Sequence, residues 1–205
     1  MTVEFPPSAV QRSPDGRGLQ SGPGAKARVL ATADRLFYHE GIRTVGVDRL
    51  IAESSVTKAT FYKHFGSKDN LVLDYIGRRR DEARQSVEDI RRATETPLAA
   101  LRAIALDIVE ALQSADFRGC PFSNAASEFA EAAHPVRRVV VAHRDWYTEA
   151  LDELFRDASH PMPGDAADEF YLARDGAMSG AYAGDAIASS AAFTRVTDAL
   201  LADCR

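Results

Sequence analysis

Apolar positions recur at three- and four-residue spacing along most of the chain and nowhere alternate with period two for long enough to make a strand, so the sequence predicts an all-α protein. Val29, Leu30, Ala33, Leu36 and Phe37 place a first helix over about 24–40, with Gly41 as a left-handed stop. A second helix runs over about 47–54, with Val47, Leu50 and Ile51 on its buried side and Asp48 at the positive end of its dipole. After a break at Ser54-Ser55-Val56, Thr57 caps a third helix through the amides of Ala59 or Thr60, and Gly66 ends it. Phe61 and Phe65 sit one turn apart and point one way, which leaves Lys58, Thr60, Lys63, His64 and the Tyr62 hydroxyl largely on other faces.

Ser67 caps a long fourth helix over about 68–93, and Thr96-Pro97 opens a fifth over about 97–114 through Leu101, Ile104, Leu106 and Ile108. Gly119-Cys120-Pro121 breaks the chain before a short helix over about 122–132, which His134-Pro135 ends. A seventh helix over about 136–158 carries the stripe Val136, Val139, Val140, His143, Tyr147, Leu151, Leu154 and Phe155. The loop from His160 to Gly164 separates it from helices over about 165–183 and 186–202. Three short helices near the start, the last two joined by a tight turn, make a helix-turn-helix.

Charge sharpens this picture. The net charge of −5 argues against a DNA partner only until it is divided. Residues 23–80 carry eleven Lys or Arg against six Asp or Glu, whereas residues 81–205 carry twelve against twenty-two. A helix with an aromatic underside and a cationic, hydroxyl-rich upper face suits a DNA major groove. The chain therefore divides into a tail at 1–23, a DNA-binding domain at 24–80 with its helix-turn-helix at about 46–65, and a second domain at 81–205. The Pro-, Gly- and Ser-rich tail reads as disordered, or as a basic arm using Arg12 and Arg17. It lacks the apolar centre of a signal peptide, no apolar run is long enough for a membrane span, and two cysteines make no disulfide framework; the expected location is cytoplasmic.

The run from Val47 to Val72 resembles the DNA-binding domain of the TetR (tetracycline repressor-like) family of bacterial transcription regulators, with the family's core present as Thr60-Phe61-Tyr62-Lys63-His64-Phe65-Gly66-Ser67-Lys68. The resemblance covers about residues 24–80; beyond it lie an all-helical pattern of fitting length and an Arg118-Gly119-Cys120-Pro121-Phe122 segment similar to one in some members. It implies that Lys58, Ala59 and Thr60, next to the Thr57 cap, approach base edges. By the same likeness Tyr62, Lys63 and His64 contact phosphates or bases, and Lys68 meets a phosphate. The chemistry agrees: Lys58 can donate to guanine O6/N7, and the methyls of Ala59 or Thr60 can touch thymine. Two positions depart from the family's pattern. Gly46 replaces a hydroxyl cap of the second helix, so that contact falls to backbone amides at Gly46 and Val47. Ser55 replaces a turn glycine and is expected at positive φ, at a cost on the order of 1 kcal/mol.

Sites of other chemistry are not expected. His39-Glu40 lacks the second histidine of a zincin helix, Gly16-x-Gly18 lacks a third glycine, and Gly176-Ala-Met-Ser-Gly180 has the wrong spacing for a nucleophile elbow. Neither enzyme activity, metal nor cofactor is expected. Cys120 is either a thiol sensor or a buried small apolar side chain. Phe117, Phe122, Phe129, His143, Trp146, Tyr147 and Tyr171 are core or the lining of a pocket for a small-molecule effector. The small residues Ala173, Ala177, Gly180, Ala181, Ala188 and Ala192 serve packing within one subunit or, as the resemblance implies, the interface of a homodimer. The resulting expectation is a ligand-responsive repressor that binds a palindromic double-stranded operator as a dimer. The alternatives are a DNA-binding regulator without a ligand, or a helical enzyme or carrier.

Overall fold

The computed structural model describes residues 24–204. The readings of the tail, including Arg12 and Arg17, fall outside them. Among the described residues the chain forms helices and no strand: α1 (Ala25–Glu40), α2 (Val47–Glu53), α3 (Lys58–Phe65), α4 (Lys68–Ala93), α5 (Pro97–Leu112), α6 (Pro121–Glu128), α7 (Pro135–Asp157), α8 (Pro163–Ala183) and α9 (Ala186–Ala202).

Local chemistry sets most of these boundaries. Thr57, Ser67, Thr96 and Asp185 each accept a hydrogen bond from the amide three residues on, and Pro97, Pro135 and Pro163 stand where a missing N–H costs nothing. Gly41 (φ 91°) and Gly66 (φ 72°) turn the chain out of α1 and α3 through the left-handed region. Two ends differ from expectation. α5 stops at Leu112, where Gln113 begins a turn. α6 stops at Glu128 although Ala130, Glu131 and Ala132 favour helix, because Phe129 goes extended and stacks on His134, ring centroids 4.3 Å apart.

α1, α2 and α3 close over Val29, Leu36, Phe37, Leu50, Phe61 and Phe65, all buried. Phe61 and Phe65 lie 5.6 Å apart at their ring centroids and supply the underside of α3. α4 packs on α1 at one end and on α7 at the other, so one rigid rod serves both ends of the molecule. The second core is built from α5, α7, α8 and α9 around Leu101, Ile104, Leu151, Phe155, Phe170 and Phe193. The α7 stripe faces it from Val136 to Phe155. Leu106, expected in the buried run of α5, instead lies 58% exposed, half a turn away from Ile104 and Ile108.

Candidate nucleic-acid interface

The turn between α2 and α3 is built by its two serines. The Ser54 hydroxyl donates to the Leu50 carbonyl at 2.6 Å and its amide donates to the same oxygen at 3.0 Å. Ser55 takes the left-handed conformation (φ 52°) that a glycine would adopt without cost. From α1, Arg28 donates Nε to the Ser54 carbonyl at 3.2 Å and Nη2 to that of Ser55 at 3.3 Å, holding the strained turn from behind. No local pattern in the sequence marks Arg28 for this part.

α3 then begins with two hydroxyls locked together. Thr57 Oγ1 accepts from the Thr60 amide at 3.1 Å and shares a hydrogen bond with Thr60 Oγ1 at 2.9 Å. Lys58, Ala59, Tyr62, Lys63 and His64 are exposed around that cap, on the side opposite Phe61 and Phe65. Lys58 Nζ stands 3.8 Å from Asp48 Oδ1, a pair so exposed that it stabilises little. Arg35 and Arg49 are engaged with Glu53 and Glu40, whereas Lys63 makes no ion pair among the described residues. Lys63, with the weakly paired Lys58, thus leaves positive charge on α3 for a polyanion.

Gly46 caps α2 with no side-chain hydrogen bond, and an added Cβ there would meet nothing within 4 Å. Val47 beside it is half-buried. Lys68 stands apart from the others: its ammonium lies 6.0 Å from the Phe37 ring, and burial lowers its pKa while Glu128 opposes that shift.

α6 is fastened to this head at both ends. Just before it, the Tyr38 hydroxyl of α1 accepts from the Arg118 amide at 2.9 Å and donates to the Gly119 carbonyl at 3.0 Å. At its other end Glu128 accepts the Ile42 amide at 2.8 Å and the Arg43 amide at 2.6 Å. Between the two, Phe122 is stacked on His143 of α7, centroids 3.5 Å apart and planes 11° apart. His143 also adjoins Trp146 (5.8 Å) and Tyr147 (5.9 Å), and Tyr147 meets Tyr171 edge-on at 5.7 Å. Five of the seven expected pocket residues therefore form one cluster. Phe129 belongs to the separate stack on His134, and Phe117 stands half-buried in the α5–α6 turn. Cys120 is buried at the start of α6, as a small apolar side chain.

Comparison with known proteins agrees with this geometry. Residues 29–75 match the family described as "Bacterial regulatory proteins, tetR family". The crystal structure of SCO4454, a TetR-family transcriptional regulator from Streptomyces coelicolor, is 39% identical, with a TM-score of 0.84 over 88% of this chain and 95% of that one. The chain belongs to the TetR family. The HTH-type transcriptional regulator LmrA of Bacillus subtilis is 26% identical over 133 residues, 63% of this chain and 71% of that protein. The reduced form of E. coli NemR, 17% identical with a TM-score of 0.73, shares the fold.

This TetR-family protein is a DNA-binding transcription regulator, and not an enzyme. Among the described residues no group of His, Cys, Asp and Glu is arranged to hold a metal ion, and no helix is long and apolar enough to cross a membrane. On α8 and α9 the six small residues singled out from the sequence divide. Ala177 is buried within the subunit, and Gly180 is pressed on Ser189, where an added Cβ would come within 2.5 Å of the Ser189 hydroxyl. Both lie at the α8–α9 contact within one chain. Ala173 and Ala181 are half-buried, and Ala188 and Ala192 are exposed. Beside these, Leu172, Tyr182, Ile187 and Val196 are large, apolar and exposed. Sequence reasoning followed small residues alone and did not single these four out.

Proposed function

We propose that this regulator is a homodimeric repressor, acting in the cytoplasm, that reads a palindromic operator with two copies of α3 and releases it when a small molecule binds among α6, α7 and α8. Lys58, Ala59 and Thr60 meet base edges, while Tyr62, Lys63 and His64 fix the register on the backbone. The observation that carries this reading is the exposed cationic face of α3 standing on a buried Phe61–Phe65 underside. A single short helix reads too few base pairs alone, so a second copy is required. The exposed Leu172, Ile187 and Val196 on α8 and α9 supply an apolar face for it.

The division near residue 80 follows from the same reading: α1–α3 read, the helices after α4 sense and dimerise. Release needs a coupling between the two, and α6 is suited to it. Its two ends hold α1 and the α1–α2 loop, while its Phe122 leans on His143. A ligand that binds better when α6 is displaced shifts the spacing of the two heads and lowers operator affinity by that difference.

The test is a gel shift with promoter DNA flanking the protein's own gene. Binding should weaken steeply with salt. Lys58→Ala and Tyr62→Phe should each reduce specific binding with circular dichroism unchanged. If neither substitution alters specific binding, α3 is not the reader.

A further inference from the structure

The second half of the chain is acidic, yet its interior holds a guanidinium. Arg174 on α8 is 6% exposed and reaches one carboxylate oxygen, Asp175 Oδ1, at 3.1 Å. That carboxylate is shared: Arg144 binds its other oxygen at 3.2 Å. Its other neighbours are the rings of Tyr147 and Tyr171, at 5.2 and 5.6 Å, the Tyr147 hydroxyl and the thiol of Cys120. Burial holds both phenols neutral well above neutral pH, Tyr171 up to about 12, so neither supplies a counter-charge. A buried cation with half a counter-ion is costly unless something else completes it.

His143, whose ring lies 5.9 Å from that of Tyr147, is 1% exposed and neither of its ring nitrogens has a hydrogen-bond partner. Buried nitrogens without partners are rare and call for an explanation. The same imidazole feels Arg174, Arg84 and Arg80, and Arg84 lies 5.1 Å over the Trp146 ring. A narrow, mostly apolar void lined by Val87, Ile104, Tyr147, Ala150, Leu151 and Leu154 adjoins the cluster on the side of Tyr147. The features together are a positive corner, two unused imidazole nitrogens, and flat aromatic walls.

We propose that the effector is an organic anion with a flat apolar body, a carboxylate being the simplest case, whose charged end completes Arg174 and takes a hydrogen bond with His143. Its body displaces the Phe122 ring from His143 and lies against Trp146 and Tyr147. This rests on the reading of the protein as ligand-responsive, and it names the chemical class of the ligand at that site. Neutral or cationic molecules of the same shape leave Arg174 incompletely paired and bind less well.

Trp146 is the one tryptophan of the chain, so its fluorescence reports the site directly. The full-length protein is titrated with benzoate, phenylacetate and cyclohexanecarboxylate, with their amides, and with benzylamine, by tryptophan fluorescence and calorimetry. At least one carboxylate should bind saturably and at least ten-fold tighter than its amide. Arg174→Met should cost ten-fold or more, a charged hydrogen bond's typical contribution, with Arg174→Lys retaining part of it. His143→Phe keeps the stack and removes the nitrogens, and should weaken binding several-fold; it guards against misfolding of Arg174→Met. Equal affinity for amide and carboxylate, unchanged affinity in both variants, or no binding by any carboxylate overturns the proposal. Carboxylate binding without release of operator DNA would sink the ligand-responsive reading and leave the anion site standing. Release by amides or benzylamine alone would do the reverse.

Discussion

Glu128 Oε1 accepts the backbone amide of Ile42 at 2.8 Å, across a separation of 86 positions in the chain. Its second oxygen takes the amide of Arg43, so one carboxylate closes the loop after α1 onto the end of α6. A charged acceptor shared by two backbone amides is among the stronger hydrogen-bond arrangements. Glu128→Ala leaves both amides without it, and stability should fall by about 1–3 kcal/mol. Amide hydrogen exchange checks the cause: Ile42 and Arg43 should lose protection, while Leu36 in the middle of α1 should change only with global stability. Equal loss everywhere would mean that the contact has no local role.

His143 makes stability depend on pH. Burial, reinforced by Arg174, Arg84 and Arg80, pushes its pKa down to about 3, against about 6.5 for a free imidazole. The folded chain therefore keeps it neutral between those values while the unfolded chain binds a proton. Stability is full above pH 6.5 and is lost as pH falls toward 3, at roughly 1.4 kcal/mol per pH unit for one proton. Urea midpoints at pH 7, 6, 5 and 4 measure the slope, and His143→Phe should flatten it. A parallel slope in that variant would assign the effect to carboxylates instead.

The helices were legible in the sequence because their signals are local: Thr57, Ser67 and Thr96 each cap the amide three residues on, and Gly41 and Gly66 carry positive φ. Ser55 was legible through the resemblance, because the family's turn carries a glycine at that place and the left-handed backbone is kept whatever the side chain. Contacts between distant segments were not. Arg28 behind the turn, Tyr38 against Gly119, and Arg174 beneath Tyr147 join residues that no period or cap connects. α6 failed at its end for the same reason. Ala130 to Ala132 favour helix locally, and the Phe129–His134 stack overrides them.

Gly180 illustrates a close approach that only the packed structure reveals. A methyl group there would stand 2.5 Å from the Ser189 hydroxyl, which must then rotate or the helices must part. Rotation is open to the half-buried hydroxyl, since Ser189 Cβ would stand at an ordinary 3.6 Å, so Gly180→Ala should fall short of the gain of up to about 1 kcal/mol expected at an open helical glycine. Adding Ser189→Ala should restore that gain, because the close contact is with the hydroxyl. Thermal melts of the two single variants and the double variant decide this, and additive effects would remove Ser189 as the cause.

Gly46 offers the opposite case. Its φ of −78° is open to any residue, and an added Cβ meets nothing. Gly46→Ser supplies the missing N-cap hydroxyl and reduces the freedom of the unfolded chain. Stability should rise by about 0.5–1 kcal/mol. Chemical denaturation measures it, and a fall would show that the α2 start is constrained by something other than its cap.

Asp48 separates stability from affinity. It sits in the first turn of α2, where a negative charge favours the helix, and 3.8 Å from Lys58, on the face expected to meet phosphates. Asp48→Asn removes the favourable dipole contact and should cost the fold about 0.3–1 kcal/mol. The same substitution removes a charge that repels DNA and competes for Lys58. Operator affinity should therefore rise about two- to five-fold at low salt, the worth of one exposed charge pair. The gain should shrink as salt is raised, because both effects are screened. Fluorescence anisotropy at two salt concentrations, beside a urea titration, tests both signs at once. A loss of affinity with no loss of stability would place Asp48 in contact with a base edge, and α2 would then share the reading with α3.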